Sequence, residues 1–399
     1  MYFHIAFLYV YGIIIFVLEV YVMLMNILSK FKIDRKLLRE LDFKVVITII
    51  FIAVFGSLNI YSATYMKYGT YYLRTQLMWL ALGLFVTYII LCIDYAVLQN
   101  YARIFYWMSI ILLVIQDTLF RGEVVNGASS WLRIGTVGIQ PSEFAKLALI
   151  IMLSKKISDM EGQLNNVRNF AILAIYSILP MALIVIQPDM GMTMVCFFIV
   201  LGIFFVAGLD LKVIGWGFAG VTGFIAIIWN LSLMPTYWKN RLISFINPGA
   251  GELGSGFQLL QSKISIGSGG FLGKGFMKGT QVSGGFIPEA STDFIFAVVG
   301  EEWGFLGSIM LVSLLGYIIF KFIEIAKTSK DLFGSMISIG IISTLLFSVL
   351  QNIGMTIGIM PITGITLPFM SYGGSSMLTS FMGVALVLNV GMRRKKINF

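Results

Sequence analysis

Ionisable side chains beside or inside apolar segments are the first feature of this sequence that could do chemistry. Asp293 lies in Pro288–Phe296, where a glycine-rich stretch meets an apolar run. A carboxyl group there is partly removed from water, and desolvation raises its pKa toward neutrality, as a general base requires. The alternative is that Thr292 or Asp293 only caps the helix that follows. Glu289 and Asp189 are the carboxylates that would replace Asp293 in this role.

Glu143 and Lys146 form a second candidate group, three residues apart at the start of an apolar segment. This spacing places both on one helical face, where the two charges can neutralise each other. They are either a buried structural ion pair or the polar floor of an externally open cavity. Asp189 follows Pro188 in a tight turn, and capping of the next helix would by itself explain an aspartate at this position. Glu301 and Glu302 are interpreted as a structural polar cluster.

Basic residues in the long stretch 233–292 supply cations near Asp293. Arg241, Lys263 and Lys274 could hold an anionic group such as a lipid-linked pyrophosphate, or could be ordinary solvated loop charges. The glycine-rich run before Lys274 superficially resembles a phosphate-binding P-loop. Its spacing is wrong and no Ser or Thr follows the lysine, so we reject that interpretation.

The composition requires a membrane to position these groups. Of 399 residues, 58% are hydrophobic and 12% are charged, against roughly 25% charged in an ordinary soluble protein. A soluble lone enzyme, a DNA-binding factor and a disulfide scaffold are excluded. The only histidine is His4, and Cys92 and Cys196 lie within apolar runs, so a zinc cluster is not expected.

Apolar segments long enough to cross a bilayer recur along the chain. Ten are expected at roughly 45–63, 75–93, 103–120, 143–158, 168–187, 191–209, 213–232, 293–320, 333–358 and 368–391. An eleventh at 5–27 carries Glu19, which costs ~2.5–3.5 kcal/mol in lipid, so ten or eleven spans both stay open, with eleven preferred. The net charge is +9, and most of the lysines and arginines lie in the shorter loops on one side of the membrane. These loops and the C-terminus are therefore expected in the cytoplasm, and 233–292 outside. Within that loop, Phe257, Leu260 and Ile264 predict a short helix at the outer membrane surface.

Four blocks of this sequence resemble the SEDS family of shape, elongation, division and sporulation proteins, which includes RodA, FtsW and SpoVE. The resemblance covers about residues 40–392. Within the family, this chain is more similar to the RodA type than to the FtsW type, because of Gly273–Gln281 and Asn352–Met355. The four blocks are Trp131–Gly135 with Gln140–Lys146, Gln187–Asp189, Pro288–Glu302 and Asn352–Ser376.

The resemblance implies an all-α, ten-helix transmembrane domain at 31–399, to which this chain adds an N-terminal hydrophobic segment at 1–30. It implies a peptidoglycan glycosyltransferase that polymerises lipid II at the outer face of the bacterial cytoplasmic membrane, for elongation and cell shape. Asp293 matches the family's essential loop aspartate, which is thought to deprotonate the acceptor sugar 4-hydroxyl. Two departures concern the fine geometry of the cavity: Ser291 stands where many relatives have His, and Ser129–Ser130 precede Trp131 where many have a basic or amide residue.

The resemblance also implies partners and helpers. Arg241 and Lys146, with a divalent cation such as Mg²⁺ as a further candidate, would offset pyrophosphate charge, but no metal ligand is assigned. A class B penicillin-binding protein and other elongation-complex proteins are expected partners, and nucleic acid is not. With Asp293 as the catalytic residue, the predicted substrate-binding set is Trp131, Arg133, Glu143, Lys146, Asp189, Arg241, Lys263, Lys274 and Glu289.

Three other functions stay open from the sequence. A lipid II flippase would need polar groups on several helices across the whole membrane, whereas the charges expected near the membrane here cluster toward its outer face, with Glu301, Glu302 and Lys146 as the deeper exceptions. A SpoVE-like polymerase would serve sporulation instead of elongation. A structural scaffold for a cell-wall complex would not need Asp293 at all.

Overall fold

The computed structural model describes residues 33–119, 131–134, 137–230, 236–246 and 255–394, which form a helical bundle. The segment at 5–27 lies outside the described residues, and so does the choice between ten and eleven spans. The ten expected apolar segments correspond to ten long helices. They are α2 Phe43–Tyr68, α3 Tyr71–Cys92, α4 Tyr95–Leu119, α5 Pro141–Asp159, α6 Val167–Ile186, α7 Met190–Val206, α8 Leu211–Asn230, α12 Ile295–Lys327, α13 Leu332–Ile357 and α14 Gly374–Met392.

Short elements complete the described structure. They are α1 Arg35–Arg39, the strands β1 Leu132–Ile134 and β2 Val137–Ile139, and the helices α9 Thr236–Ile246, α10 Ser255–Gly269 and α11 Thr280–Ser283. The two strands pair antiparallel, with Leu132 opposite Ile139. Seven of the long helices are long and apolar enough to cross a membrane within the described chain. The protein is therefore a multi-pass membrane protein.

The core of the bundle is built around α5, α13 and α14. In the most apolar stretches of α13 and α14, 72% and 78% of the residues are buried, compared with 22% in α6. Close packing uses small residues, as is usual where helices meet in lipid: Gly83 of α3 lies against the ring of Phe381, and Gly340 of α13 lies against Ile150. Outer helices such as α6 instead leave most of their apolar residues at least partly exposed on the outside of the bundle.

Helix α10 confirms the helix predicted around Phe257–Ile264 and extends it at both ends. The apolar stripe of Phe257, Leu260 and Ile264 is exposed. The opposite face, which includes Leu259, Ser262 and Ser265, is buried against α12 and α13, and the Ser262 hydroxyl donates to the Thr356 carbonyl (2.8 Å). Small side chains thus bring α10 close to the core, while its place at a membrane surface stays a prediction.

Helix α12 is kinked at Gly304, whose φ of 66° and ψ of −158° fall in a region that only glycine adopts readily. The preceding loop repairs the broken hydrogen-bond ladder. The amides of Lys274 and Gly275 donate to the carbonyls of Glu301 and Glu302, each at 3.0 Å, and the amides of Phe305 and Leu306 donate back to Gly270 and Phe271. The glycine-rich run is therefore a structural partner of α12.

The kink yields a stability prediction. An alanine Cβ at Gly304 would lie 2.3 Å from the Gly273 amide nitrogen, and the backbone conformation is itself unfavourable for alanine. We expect Gly304→Ala to destabilise the protein by at least about 2 kcal/mol, measured as a lower thermal unfolding midpoint in detergent. The matched control is Gly316→Ala in the same helix, where nothing lies within 4 Å of the added Cβ and the change should stay within about 1 kcal/mol of the parent. Equal midpoints for the two variants would contradict the structural role of the kink.

Candidate functional site

A cavity of about 1060 Å³ lies among one end of α2 and α3, the start of α5 and α7, α9, and the loops at 282–293 and 363–376. Seven of the predicted site residues line it: Trp131, Glu143, Lys146, Asp189, Arg241, Glu289 and Asp293. Trp131 lies against Gly138 of β2. Arg133 is in β1, and its side chain lies outside the described part of the structure. The structure thus places most of the predicted site residues around one cavity.

Asn352 fixes the backbone that carries Asp293. Its side chain is fully buried in α13, and its amide donates to the carbonyls of Asp293 and Ile365, each at 2.8 Å. One side chain therefore joins the segment before α12 to the loop before α14. Neither segment is helical at this point, so this amide supplies partners that a helix would otherwise provide.

Ser371 and Tyr372 provide a second connection between the same two segments. The Ser371 hydroxyl donates to the Thr292 carbonyl (2.6 Å) and accepts from the Leu367 amide (2.8 Å). The Tyr372 amide donates to the Ser291 carbonyl (2.8 Å). With Asn352, these contacts hold three consecutive residues, 291–293, against the loop.

The Asp293 carboxylate and the Arg241 guanidinium share one corner of the cavity. A Cβ built on Gly364 would lie 3.4 Å from Asp293 Oδ2 and 3.8 Å from Arg241 Nη1. Gly364 has a φ of 77°, which favours glycine. The glycine therefore leaves room for both charged groups and for a reactant beside them.

Burial raises the pKa of Asp293 from 3.8 to about 7. The negative charges of Glu289 and Asp189 raise this pKa further, and the positive charge of Arg241 lowers it. A carboxyl group with such a pKa exchanges its proton readily near neutral pH, as a general base must.

Glu143 and Lys146 form the ion pair that their spacing predicts. Lys146 Nζ lies 2.5 Å from Glu143 Oε2, and the side chains are almost fully buried, with residue exposures of 6% and 4%. The Thr379 hydroxyl of α14 donates to the same oxygen (2.5 Å). The pair is both a structural link between α5 and α14 and part of the cavity wall. A role for Lys146 toward a substrate stays a prediction.

Asp189 confirms the capping interpretation and also lines the cavity. Its Oδ1 accepts from the Met192 amide (3.0 Å) at the start of α7, and its Oδ2 accepts from the Gln140 side-chain amide (3.1 Å). The indole of Trp238 in α9 donates to the neighbouring Pro188 carbonyl (3.2 Å). Asp189 therefore joins the starts of α5 and α7 at the cavity wall.

Lys263 and Lys274 are not on the cavity wall, in contrast to the prediction. Lys274 Nζ lies 2.7 Å from Glu301 Oε1, and Glu301 is fully buried. Glu301 also accepts from the amides of Gln281 (2.9 Å) and Val282 (3.1 Å). Lys263 lies against Gly358 at the end of α13. Lys274 thus neutralises a buried carboxylate, which agrees with the predicted structural cluster around Glu301.

The sequence analysis missed several cavity residues near the ends of helices. They are Lys67, Tyr68, Tyr71, Tyr72, Gln140 and Tyr372. The first four lie at the α2–α3 connection, since α2 continues to Tyr68 instead of ending near 63. The concentration of tyrosine at 68–72 was a signal that could have been used. Within the described residues, no group of three or more His, Cys, Asp or Glu could hold a metal ion, and the divalent cation stays a prediction.

Comparison with known proteins gives consistent matches over nearly the whole chain. Residues 39–396 match the FtsW, RodA and SpoVE family model, described as "Cell cycle protein". The chain is 35% identical to stage V sporulation protein E of Bacillus subtilis (strain 168), over 87% of this chain and 95% of that protein. It is 34% identical to the peptidoglycan glycosyltransferase MrdB of Escherichia coli (strain K12), over 90% and 95%.

Two solved structures have a similar fold. One chain comes from a structure on the coordination of polymerization and crosslinking by a peptidoglycan synthase complex, with a TM-score of 0.77 and 30% identity, over 89% of this chain and 99% of that one. The rod shape determining protein RodA of Thermus thermophilus has a TM-score of 0.66 and 28% identity, over 89% and 98%.

The raised pKa of Asp293 predicts how stability depends on pH. Between pH 3.8 and about 7, the folded protein keeps a proton that the unfolded chain has lost. Stability from this group therefore falls as pH rises through this window and levels off above it. Asp293→Asn removes the ionisation. Its thermal midpoint in detergent, minus that of the parent, should therefore increase from pH 4 to about 7 and stay constant above pH 7. A difference that does not change with pH would contradict the assigned pKa.

Proposed function

We propose that this chain, which belongs to the FtsW, RodA and SpoVE family, is a peptidoglycan glycosyltransferase that polymerises lipid II into glycan strands. Two relatives named as peptidoglycan glycosyltransferases support this activity, because this chain matches each of them over nearly its whole length. The observation that carries the mechanism is the position of Asp293: a half-buried carboxylate with a pKa near 7, beside Arg241, in a large cavity.

In the proposed reaction, Asp293 takes the proton from the 4-hydroxyl of the acceptor sugar. The hydroxyl oxygen then forms a bond to the anomeric carbon of the donor, and the bond from that carbon to undecaprenyl pyrophosphate breaks. The pyrophosphate leaves with the bonding electrons and is already a good leaving group, so an acid partner is less necessary than in glycosidases. Arg241 lies where it can offset the negative charge that develops.

The direction of α14 supports an external active site. Gly374 at its start lines the cavity, and Arg393 follows its last residue. A 19-residue helix spans about 28 Å at 1.5 Å per residue, so Gly374 at the cavity and Arg393 lie at opposite ends of α14. If the basic end is cytoplasmic, as the positive-inside rule predicts, the cavity faces outward.

The apolar interior beneath the cavity favours polymerisation over transport. After Glu143 and Lys146, helix α5 continues with Leu149, Ile150 and Leu153, which are fully buried. Ile150 packs against α13 at Gly340. A flippase needs a polar route past this level, and these three residues of α5 provide no polar group for one.

We further propose an elongation role and a class B penicillin-binding partner, together with other elongation-complex proteins. The structural neighbour from a synthase complex that coordinates polymerization and crosslinking supports such a partner. The alternative is a sporulation-specific polymerase, because the sporulation protein of Bacillus subtilis and the MrdB enzyme of Escherichia coli are almost equally similar to this chain.

The decisive experiment is lipid II polymerisation by the chain co-purified with its penicillin-binding partner. We expect glycan ladders from the parent and none from Asp293→Asn. The rate should increase as Asp293 loses its proton, reaching half its plateau at a pH of about 7 and roughly one tenth at pH 6. The control is Asp94→Asn, since Asp94 is exposed, accepts from the Ala96 amide (2.9 Å), lies 3.4 Å from Arg393 and does not line the cavity.

Each outcome identifies one function. Ladders from Asp293→Asn at the parental rate would contradict the base assignment and leave Glu289 or Asp189 as candidates. No ladders from any variant, together with lipid II translocation in vesicles, would favour the flippase. If neither activity is found and Asp293→Asn supports normal growth, the scaffold interpretation becomes the better one.

A further inference from the structure

Four tyrosines that line the cavity form a cluster of contacting, mutually tilted rings, which we call the tyrosine platform: Tyr68, Tyr71, Tyr72 and Tyr372. Tyr72 is its centre. Its ring centroid lies 4.9 Å from that of Tyr68, 5.6 Å from that of Tyr71 and 4.6 Å from that of Tyr372. Tyr68 and Tyr71 remain 54% and 58% exposed, so much of their aromatic surface is accessible.

Polar groups surround the tyrosine platform within the same cavity. Lys67, Thr75, Ser283 and Glu289 all line it. Lys67 is exposed and reaches toward Gly285, where a Cβ would lie 3.5 Å from its Nζ. The mouth thus combines aromatic faces with hydroxyl, ammonium and carboxylate groups.

One member of the tyrosine platform is connected to the segment that carries Asp293, and two others are exposed. The amide of Tyr372 donates to the carbonyl of Ser291, two residues before Asp293. Tyr68 and Tyr71, at the other end, are the exposed members. A molecule that reacts at Asp293 and extends out of the cavity in this direction would pass over the tyrosine rings.

This combination matches a sugar more closely than the other parts of a lipid-linked saccharide. A pyranose ring has an apolar C–H face that packs on an aromatic ring, and hydroxyl groups at its edge that bond to polar side chains. Tyrosine offers both a ring face and a hydroxyl. An acyl chain would not use the polar groups, and a pyrophosphate would not use the ring faces.

We propose that the tyrosine platform is a saccharide-binding subsite that holds a pyranose ring of the glycan strand while the end of the strand reacts at Asp293. The role of the strand rests on the proposed polymerase function, whereas saccharide binding itself does not. By holding the strand between additions, the subsite would lengthen the product. Tyrosines at membrane boundaries also serve as interfacial anchors, and the test separates the two roles.

The direct test measures binding of a β-1,4-linked N-acetylglucosamine tetrasaccharide to the full chain in detergent. It is done in the Asp293→Asn background, so that no catalysis is involved. Tyr68→Ala/Tyr71→Ala should weaken binding at least about fivefold, since each aromatic contact contributes a few-fold. Tyr68→Phe/Tyr71→Phe keeps the rings and should stay within about twofold. The matched control is Tyr65→Ala, an exposed tyrosine of α2 that does not line the cavity, and it should bind as the parent does.

A second measurement compares the length of glycan strands made by the polymerising protein with and without Tyr68→Ala/Tyr71→Ala. We expect strands several-fold shorter from the double variant and unchanged from Tyr65→Ala. Parental tetrasaccharide binding in the double alanine variant, no binding to the parent, or equal losses in Tyr65→Ala would overturn the subsite. Platform-dependent tetrasaccharide binding without any polymer from the parent would leave the subsite standing and remove the proposed polymerase function.

Discussion

Irregular backbone inside a membrane bundle is tolerated only where its polar groups find partners within the protein, and the cavity depends on how this chain meets that constraint. The amide of Asn352 joins the carbonyls of Asp293 and Ile365. Further back, the loop around Gly273 supplies the partners that the kink of α12 at Gly304 removes. The first substitute for helical hydrogen bonding allows non-helical segments to line the cavity, and the second holds the kinked helix α12 in place.

The same arrangement sets the electrostatics of the site. Because residue 293 is held by its backbone, its carboxylate stays beside Arg241 and within reach of the charges of Glu289 and Asp189. Burial and two negative charges outweigh one positive charge, which brings the pKa of Asp293 to about 7. A single carboxylate with this pKa would suit the proposed role of a base at neutral pH without a histidine, and no histidine is present among the residues of this cavity. The packing of the backbone around residue 293 therefore also determines the pKa of its side chain.

Much of this could be predicted from the sequence, because hydropathy alone determines which segments must become helices in lipid. Asp293 and the Glu143–Lys146 pair followed from the cost of charge at membrane depth and from helical spacing. The pairing of Lys274 with Glu301 could not be predicted, since it joins positions 27 residues apart through a loop whose path is set by tertiary packing. The kink at Gly304 was also missed, because one glycine in an apolar run does not distinguish a bend from close packing.

The measurement that tests the central claim most directly is a pH titration of the Asp293 carboxyl group by infrared difference spectroscopy, comparing the parent with Asp293→Asn. The protonated carboxyl has its own C=O stretching band, which the variant lacks. We predict that this band disappears with a midpoint near pH 7, lower in Glu289→Gln and higher in Arg241→Gln, because the two neighbours act on the pKa in opposite directions. A midpoint near 3.8, the ordinary value for an aspartate, would contradict the account of Asp293 as a base suited to neutral pH.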